Sequence, residues 1–267
     1  MFDSGLGGLT VVRELAEAMP AEDIVYLGDS ARVPYGIKSP ETIRRFALED
    51  LRFLLRFEPK LIVVACNTAS AAAIAEIRAA SPVDVVDVIG PGAAAAVAAT
   101  EGAIGVIGTE ATVVSGAYQR AIAALAPGRE VLARPCPLLV PIVEEGRDED
   151  DPIVLHVLCD YLPDLQRLRP GALILGCTHY PLLARAIGKL MGPEVRLVSS
   201  AKAAALEVQR RLCSTALTAR REAGSLRCYT TDNPARFARL GERFGGRRID
   251  RVEAVGTDQL ETRATPT

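Results

Sequence analysis

The sequence predicts an α/β protein made of two pseudo-symmetric, three-layer α/β domains with mainly parallel sheets. Three observations carry that prediction. Short apolar, β-branched runs alternate with alanine- and arginine-rich helical stretches along the chain. Runs such as Leu61-Ile62-Val63-Val64 are apolar at every position, the pattern of strands covered on both faces. Finally, Leu61 to Thr68 is similar to Ala172 to His179: an apolar strand, a small residue, a cysteine, two polar residues, then a helix.

The expected strands are Ile24–Leu27, Leu61–Ala65, Val83–Ile89, Ile104–Ile107, Val131–Ala133, Leu173–Leu175, Val195–Val198, Arg227–Thr230 and Ile249–Val255. Helical patterns span Leu9–Ala18, Pro40–Phe57, Ser70–Ala80, Gly92–Ala99, Gly116–Leu125, Pro152–Leu168, Pro181–Leu190 and Ala201–Cys213. Ser39-Pro40-Glu41 reads as an N-cap with proline at the first helical position. The polar stretch Glu145–Asp151 is expected to be a loop, and residues after about Gly256 a frayed tail. In such folds ligands sit at the carboxyl ends of the strands.

Composition narrows the function. The chain has 267 residues, 49% of them hydrophobic, enough for one or two domains with substantial cores. Lys and Arg number 31 against 33 Asp and Glu, a net charge of −2, so the basic excess of a nucleic-acid or membrane-surface binder is missing. No apolar run approaches the ~18–20 residues of a spanning helix, and no Lys/Arg-flanked signal opens the chain. A cytoplasmic protein is expected. The six cysteines, at 66, 136, 159, 177, 213 and 228, lack the C-x-x-C spacing of zinc or dithiol motifs. Most should be small buried hydrophobes.

The exceptions are Cys66 and Cys177. Each ends an apolar strand and precedes a helix, where the positive end of the helix dipole favours a thiolate. Either one alone reads first as a structural thiol; finding both at one kind of junction strengthens the catalytic reading. His179 follows Cys177 by two residues, within reach as base, acid or orienting group. His156, in a helical stretch without polar company, reads as packed or surface-exposed.

In Asp3-Ser4-Gly5-Leu6-Gly7-Gly8-Leu9-Thr10 the glycine spacing misses a dinucleotide fingerprint, because position 10 is Thr. The segment is a strand-to-helix turn that either brings backbone N–H groups and Asp3 to a small anionic ligand or simply caps a helix. Glu144 and Glu145 read from composition as the start of the acidic loop, although Glu144 could also partner an acid or base. Tyr35-Gly36 is a turn able to offer a phenol and a backbone N–H. No Schiff-base lysine, Walker sequence or metal triad stands out, so the expected chemistry needs no cofactor or metal.

Together these segments resemble glutamate racemase signatures within the aspartate/glutamate racemase family: Asp3 to Thr10, Ala65-Cys66-Asn67-Thr68-Ala69-Ser70 and Leu175-Gly176-Cys177-Thr178-His179-Tyr180-Pro181. Pro34-Tyr35-Gly36, Val140 to Gly146 and Thr230-Thr231-Asp232 are also similar, in the same order. The resemblance covers nearly the whole chain. It implies cofactor-independent interconversion of L- and D-glutamate, supplying D-glutamate for peptidoglycan. It implies two α/β domains with the active site between them and a C-terminal segment returning to the first: residues 1–93 plus 207–267, and 94–206. Cys66 would take the α-proton of D-glutamate and Cys177 that of L-glutamate, the other thiol returning a proton on the opposite face. Asp3 would support Cys66, and His179 with Glu144 would support Cys177. Substrate-binding groups would be Asp3, Ser4, Tyr35, Gly36, Asn67, Thr68, Thr178 and His179. The partner is small-molecule glutamate, with neither nucleic acid nor membrane, and a homodimer is the assembly related enzymes suggest. The family pattern places an apolar strand before the Phe-Asp-Ser-Gly turn, whereas this sequence opens at Met1-Phe2; the first strand is expected to be missing, shortened or excluded by a misassigned start. Three rival readings are an aspartate or other amino-acid racemase of the same superfamily, a cysteine hydrolase using Cys177 and His179, and a non-catalytic binding or regulatory protein that kept the scaffold.

Overall fold

A computed structural model describes residues 1–261. In chain order its elements are β1 (Phe2–Asp3), α1 (Leu9–Ala18), β2 (Ile24–Gly28), α2 (Pro40–Leu55), β3 (Leu61–Val64), α3 (Asn67–Ala80), β4 (Asp84–Asp87), α4 (Ile89–Ala99), β5 (Ile104–Gly108), α5 (Glu110–Val114), α6 (Ala117–Leu125), β6 (Val131–Pro135) and α7 (Leu139–Glu144). They continue with α8 (Pro152–Tyr161), α9 (Pro163–Leu168), β7 (Ala172–Gly176), α10 (Ala184–Met191), β8 (Arg196–Ser199), α11 (Ser200–Ser214), β9 (Leu226–Thr230), α12 (Pro234–Gly245), β10 (Val252–Ala254) and α13 (Thr257–Glu261).

The strands form two sheets, ordered β10-β9-β2-β1-β3-β4 and β6-β5-β7-β8, and every strand pair is parallel. This is the α/β architecture the continuous apolar runs predict. Ile62, Val64, Leu173 and Ile174 are fully buried, and a buried side chain of this kind contributes roughly 1.5–3 kcal/mol. The chain leaves the first sheet after β4, builds the second, and returns to the first through β9 and β10. Among the described residues no helix is long and apolar enough to cross a membrane.

Local chemistry explains where elements begin and end. Ser39 caps α2 by accepting from the Thr42 N–H, with Pro40 in the first turn. The strand expected at Val83–Ile89 stops at Asp87, whose Oδ1 accepts from the N–H groups of Ile89 and Gly90 at 2.7 and 2.9 Å and starts α4. The helix expected over Pro152–Leu168 is two helices, because Pro163 starts a new one after Leu162. Instead of fraying after Gly256, the chain forms α13 with Leu260 fully buried; the tail expected beyond Glu261 lies outside the described residues. The divisions expected at 93/94 and 206/207 fall inside α4 and α11, which run unbroken.

β1 is short, two residues long, yet central: Phe2 pairs with Leu27 on one side and Val64 on the other. Beneath it a cavity of about 350 Å³ is bounded by Met1, Ile24, Val25, Leu61, Ile62 and Val63 among others. The Met1 amine donates to the Val25 carbonyl at 2.7 Å, and burial pushes its pKa down to about 5.

Candidate active site

The strand ends of both sheets bring the expected residues to one place. From β1 the chain turns through Ser4–Gly8 into α1. Asp3, fully buried, accepts from the Gly8 N–H through Oδ2 at 2.8 Å, while its Oδ1 has no hydrogen-bond partner. One carboxylate oxygen thus satisfies the N–H of the residue that opens α1, and the other is left without a partner. Burial raises the Asp3 pKa, against the lowering effect of His179 and of bonds from Gly8, Cys66 and Ser4.

Cys66 follows β3 and is itself the N-cap of α3, its Sγ accepting from the Ala69 N–H at 3.4 Å. The Ser4 hydroxyl lies 3.7 Å from the same sulfur. A helix N-terminus alone would favour thiolate, but here burial, and then the charge of Asp3, outweigh it and push the Cys66 thiol up. Cys66 is kept protonated.

Cys177 differs. After β7 the chain bends through Cys177–His179 into a 3₁₀ turn at Tyr180–Leu183, so this cysteine does not cap an α-helix. Its neighbour is the His179 ring, with Nδ1 3.8 Å from Sγ. On the other side of the ring, Nε2 is 3.0 Å from Glu144 Oε1. Burial disfavours a charged imidazole, yet the bonds to Cys177 and Glu144 more than offset it and hold the His179 pKa up at about 10. Burial acts against Glu144 as well, but His179 holds its carboxyl below the usual range. The loop reading of Glu144 is corrected: this residue ends α7, and the acidic turn begins after it.

The two lobes touch through this site. The Thr10 hydroxyl, in α1, lies 3.0 Å from the Thr178 carbonyl oxygen. A Cβ on Gly7 would sit 2.2 Å from Thr178 Oγ1 and 2.6 Å from His179 Nδ1, so only glycine lets the first turn lie against the second thiol's neighbours. Thr68 forms a hydroxyl cluster with Thr109 at 2.9 Å and Thr112 at 3.3 Å across the seam. Asn67 is buried with its Nδ2 unpartnered. Tyr35 is buried and its hydroxyl is engaged with Asp29 and Asp50, next to Arg32, so the phenol the sequence offered to a ligand already has its partners.

Sequence reasoning missed Thr109, Thr112 and the whole of α12. Thr109-Glu110 directly after β5 is a helix N-cap signature, and Asn233-Pro234 with buried Phe237, Gly241 and Phe244 is a capped amphipathic helix. α12 bears on the site: Phe244 packs edge-on against His179 with ring centroids 5.2 Å apart, and Arg243 donates to the Val143 carbonyl beside Glu144. His156 is exposed and all six cysteines are free.

Two parallel α/β sheets, with buried Cys66 following β3 in one and buried Cys177 following β7 in the other, define a two-lobed α/β protein. The family model described as Asp/Glu/Hydantoin racemase matches residues 6–208, and the chain belongs to that family. It is 47% identical to the glutamate racemase of Geobacter metallireducens over 261 residues, covering 97% of this chain and 96% of that one. The crystal structure of a glutamate racemase isoform from Bacillus anthracis superposes with a TM-score of 0.92 at 40% identity, covering 95% of both chains. That of the Francisella tularensis glutamate racemase in complex with D-glutamate gives 0.90 at 39% identity, covering 96% of both.

Proposed function

We propose that this chain interconverts L- and D-glutamate by a two-thiol mechanism and so supplies D-glutamate for peptidoglycan. One observation carries the reading: the two thiols differ in protonation environment, Cys66 held as a thiol beside Asp3 and Cys177 set against an imidazolium. Inverting one carbon through a planar carbanion needs this asymmetry, a base on one face and an acid on the other. Starting from L-glutamate, Cys177 thiolate takes the α-proton, the electron pair remains on the α-carbon and its carboxylate, and Cys66 delivers its proton to the opposite face. The reverse direction begins when Cys66 has lost its proton; Asp3, buried beside it and raised in pKa by burial, is the nearby base. His179 and Glu144 stabilise the Cys177 thiolate. Ser4, the Tyr35-Gly36 backbone, Asn67, Thr68 and Thr178 hold the carboxylates and ammonium. Donors fixed in a buried site act where water no longer screens them, which lowers the energy of the carbanion. The two lobes meet along α4 and α11, and the active site lies between them; a homodimer is the proposed assembly and the cytoplasm the proposed compartment.

Circular dichroism of L-glutamate with purified protein, without pyridoxal phosphate or added metal, tests the proposal. The signal should decay to zero; one that persists refutes it. Cys66→Ser and Cys177→Ser should each nearly abolish decay from either enantiomer. A Cys66→Ser variant that still turned over a substrate through Cys177 and His179 would point to a hydrolase instead.

A further inference from the structure

We propose that Tyr118 is a positioning residue of this site, whose hydroxyl fixes the Asn67 amide so that its N–H₂ end meets the substrate. Tyr118 lies on α6 in the second lobe, and Asn67 opens α3 in the first, directly after Cys66. The Tyr118 hydroxyl donates to Asn67 Oδ1 at 2.6 Å, and both residues are buried. Burial pushes the phenol up, so it keeps its proton and acts as donor.

The consequence is steric and electrostatic. An amide has two ends of nearly equal shape and opposite polarity. With Oδ1 taken by the phenol, Nδ2 is the remaining end, and it is buried with no partner. A buried donor left unpaired costs ~1–3 kcal/mol, a cost removed when an acceptor arrives. A carboxylate of the substrate is such an acceptor. Without the Tyr118 hydroxyl the amide is free to turn and present Oδ1 to that carboxylate, acceptor against acceptor. The same ring also lies against the residue before Cys177: a Cβ on Gly176 would stand 3.0 Å from Tyr118 Cε2. One side chain therefore touches both thiol-bearing junctions across the lobe seam.

The identity of the carboxylate rests on the proposed glutamate reading; the orientation of the amide does not. Tyr118→Phe keeps the ring and removes only the hydroxyl. It should raise KM for glutamate about tenfold, the equivalent of one hydrogen bond of ~1.4 kcal/mol, and lower the melting temperature by only a few degrees. In an Asn67→Ala background, where no amide remains to orient, the same substitution should have no further effect on KM. In ¹⁵N spectra the Asn67 side-chain amide pair, assigned by its loss in Asn67→Ala, should shift or broaden in Tyr118→Phe. An equal loss in both backgrounds, or unchanged KM and amide signals, overturns the inference. If the wild-type chain fails to racemise glutamate, the proposed function falls while the amide spectra still decide the role of Tyr118.

Discussion

Replacing Glu144 by Gln should move the titration of His179 by several pH units. The carboxylate stands 3.0 Å from Nε2, and glutamine can still accept that hydrogen bond, so the substitution removes charge while preserving shape. Two unit charges about 4 Å apart at an effective dielectric of ~20 interact by ~4 kcal/mol. At ~1.4 kcal/mol per unit that is about three pKa units. The wild-type value of about 10 would fall to about 7, roughly where an imidazole changes charge at neutral pH. Proton NMR can follow this directly, because the chain holds only two histidines and exposed His156 is assigned by mutation. Activity should follow: the limb of the kcat/KM profile that reports loss of the His179 proton moves down by the same amount. The equilibrium between mirror images is symmetric, so kcat/KM falls equally in both directions. A His179 titration within half a unit of wild type would refute the assignment of Glu144 as one of the two groups, with Cys177, that hold the imidazolium. Stability carries the same sign: the folded value lies above the ordinary imidazole value of 6.5, so the contribution of His179 is complete below pH 6.5 and is lost as pH rises through about 10.

Gly7→Ala tests the lobe contact. Its Cβ would clash with Thr178 and His179, and a displacement of ~1 Å near the reacting groups costs about 100-fold in rate, visible in the dichroism assay while thermal melts report a folded protein.

The sheets were legible in the sequence because their signal is local. Leu61–Val64 and Ala172–Gly176 are apolar at every position, which suits only strands covered on both sides, and Ser39-Pro40 announces α2 through its own backbone chemistry. The two cysteines stood out for the same reason, each placed at a strand end by the residues beside it. What the chain order hides is which groups face one another. Thr109, Thr112, Tyr118 and Phe244 reach the site from helices far along the sequence from Cys66 and His179, and no periodicity records those meetings.

Nor does a local pattern report charge in three dimensions. Two junctions alike in sequence predicted two thiols activated alike by helix ends. Burial beside Asp3 suppresses ionisation at Cys66, while His179 and Glu144, converging through a bend and the end of α7, provide a cation next to Cys177. The sequence by itself determined the layered α/β fold and the two thiol-bearing junctions, since strand patterning and turn chemistry act between near neighbours. Tertiary structure alone decided the unequal surroundings of those thiols, because desolvation and Coulomb forces depend on distances through space.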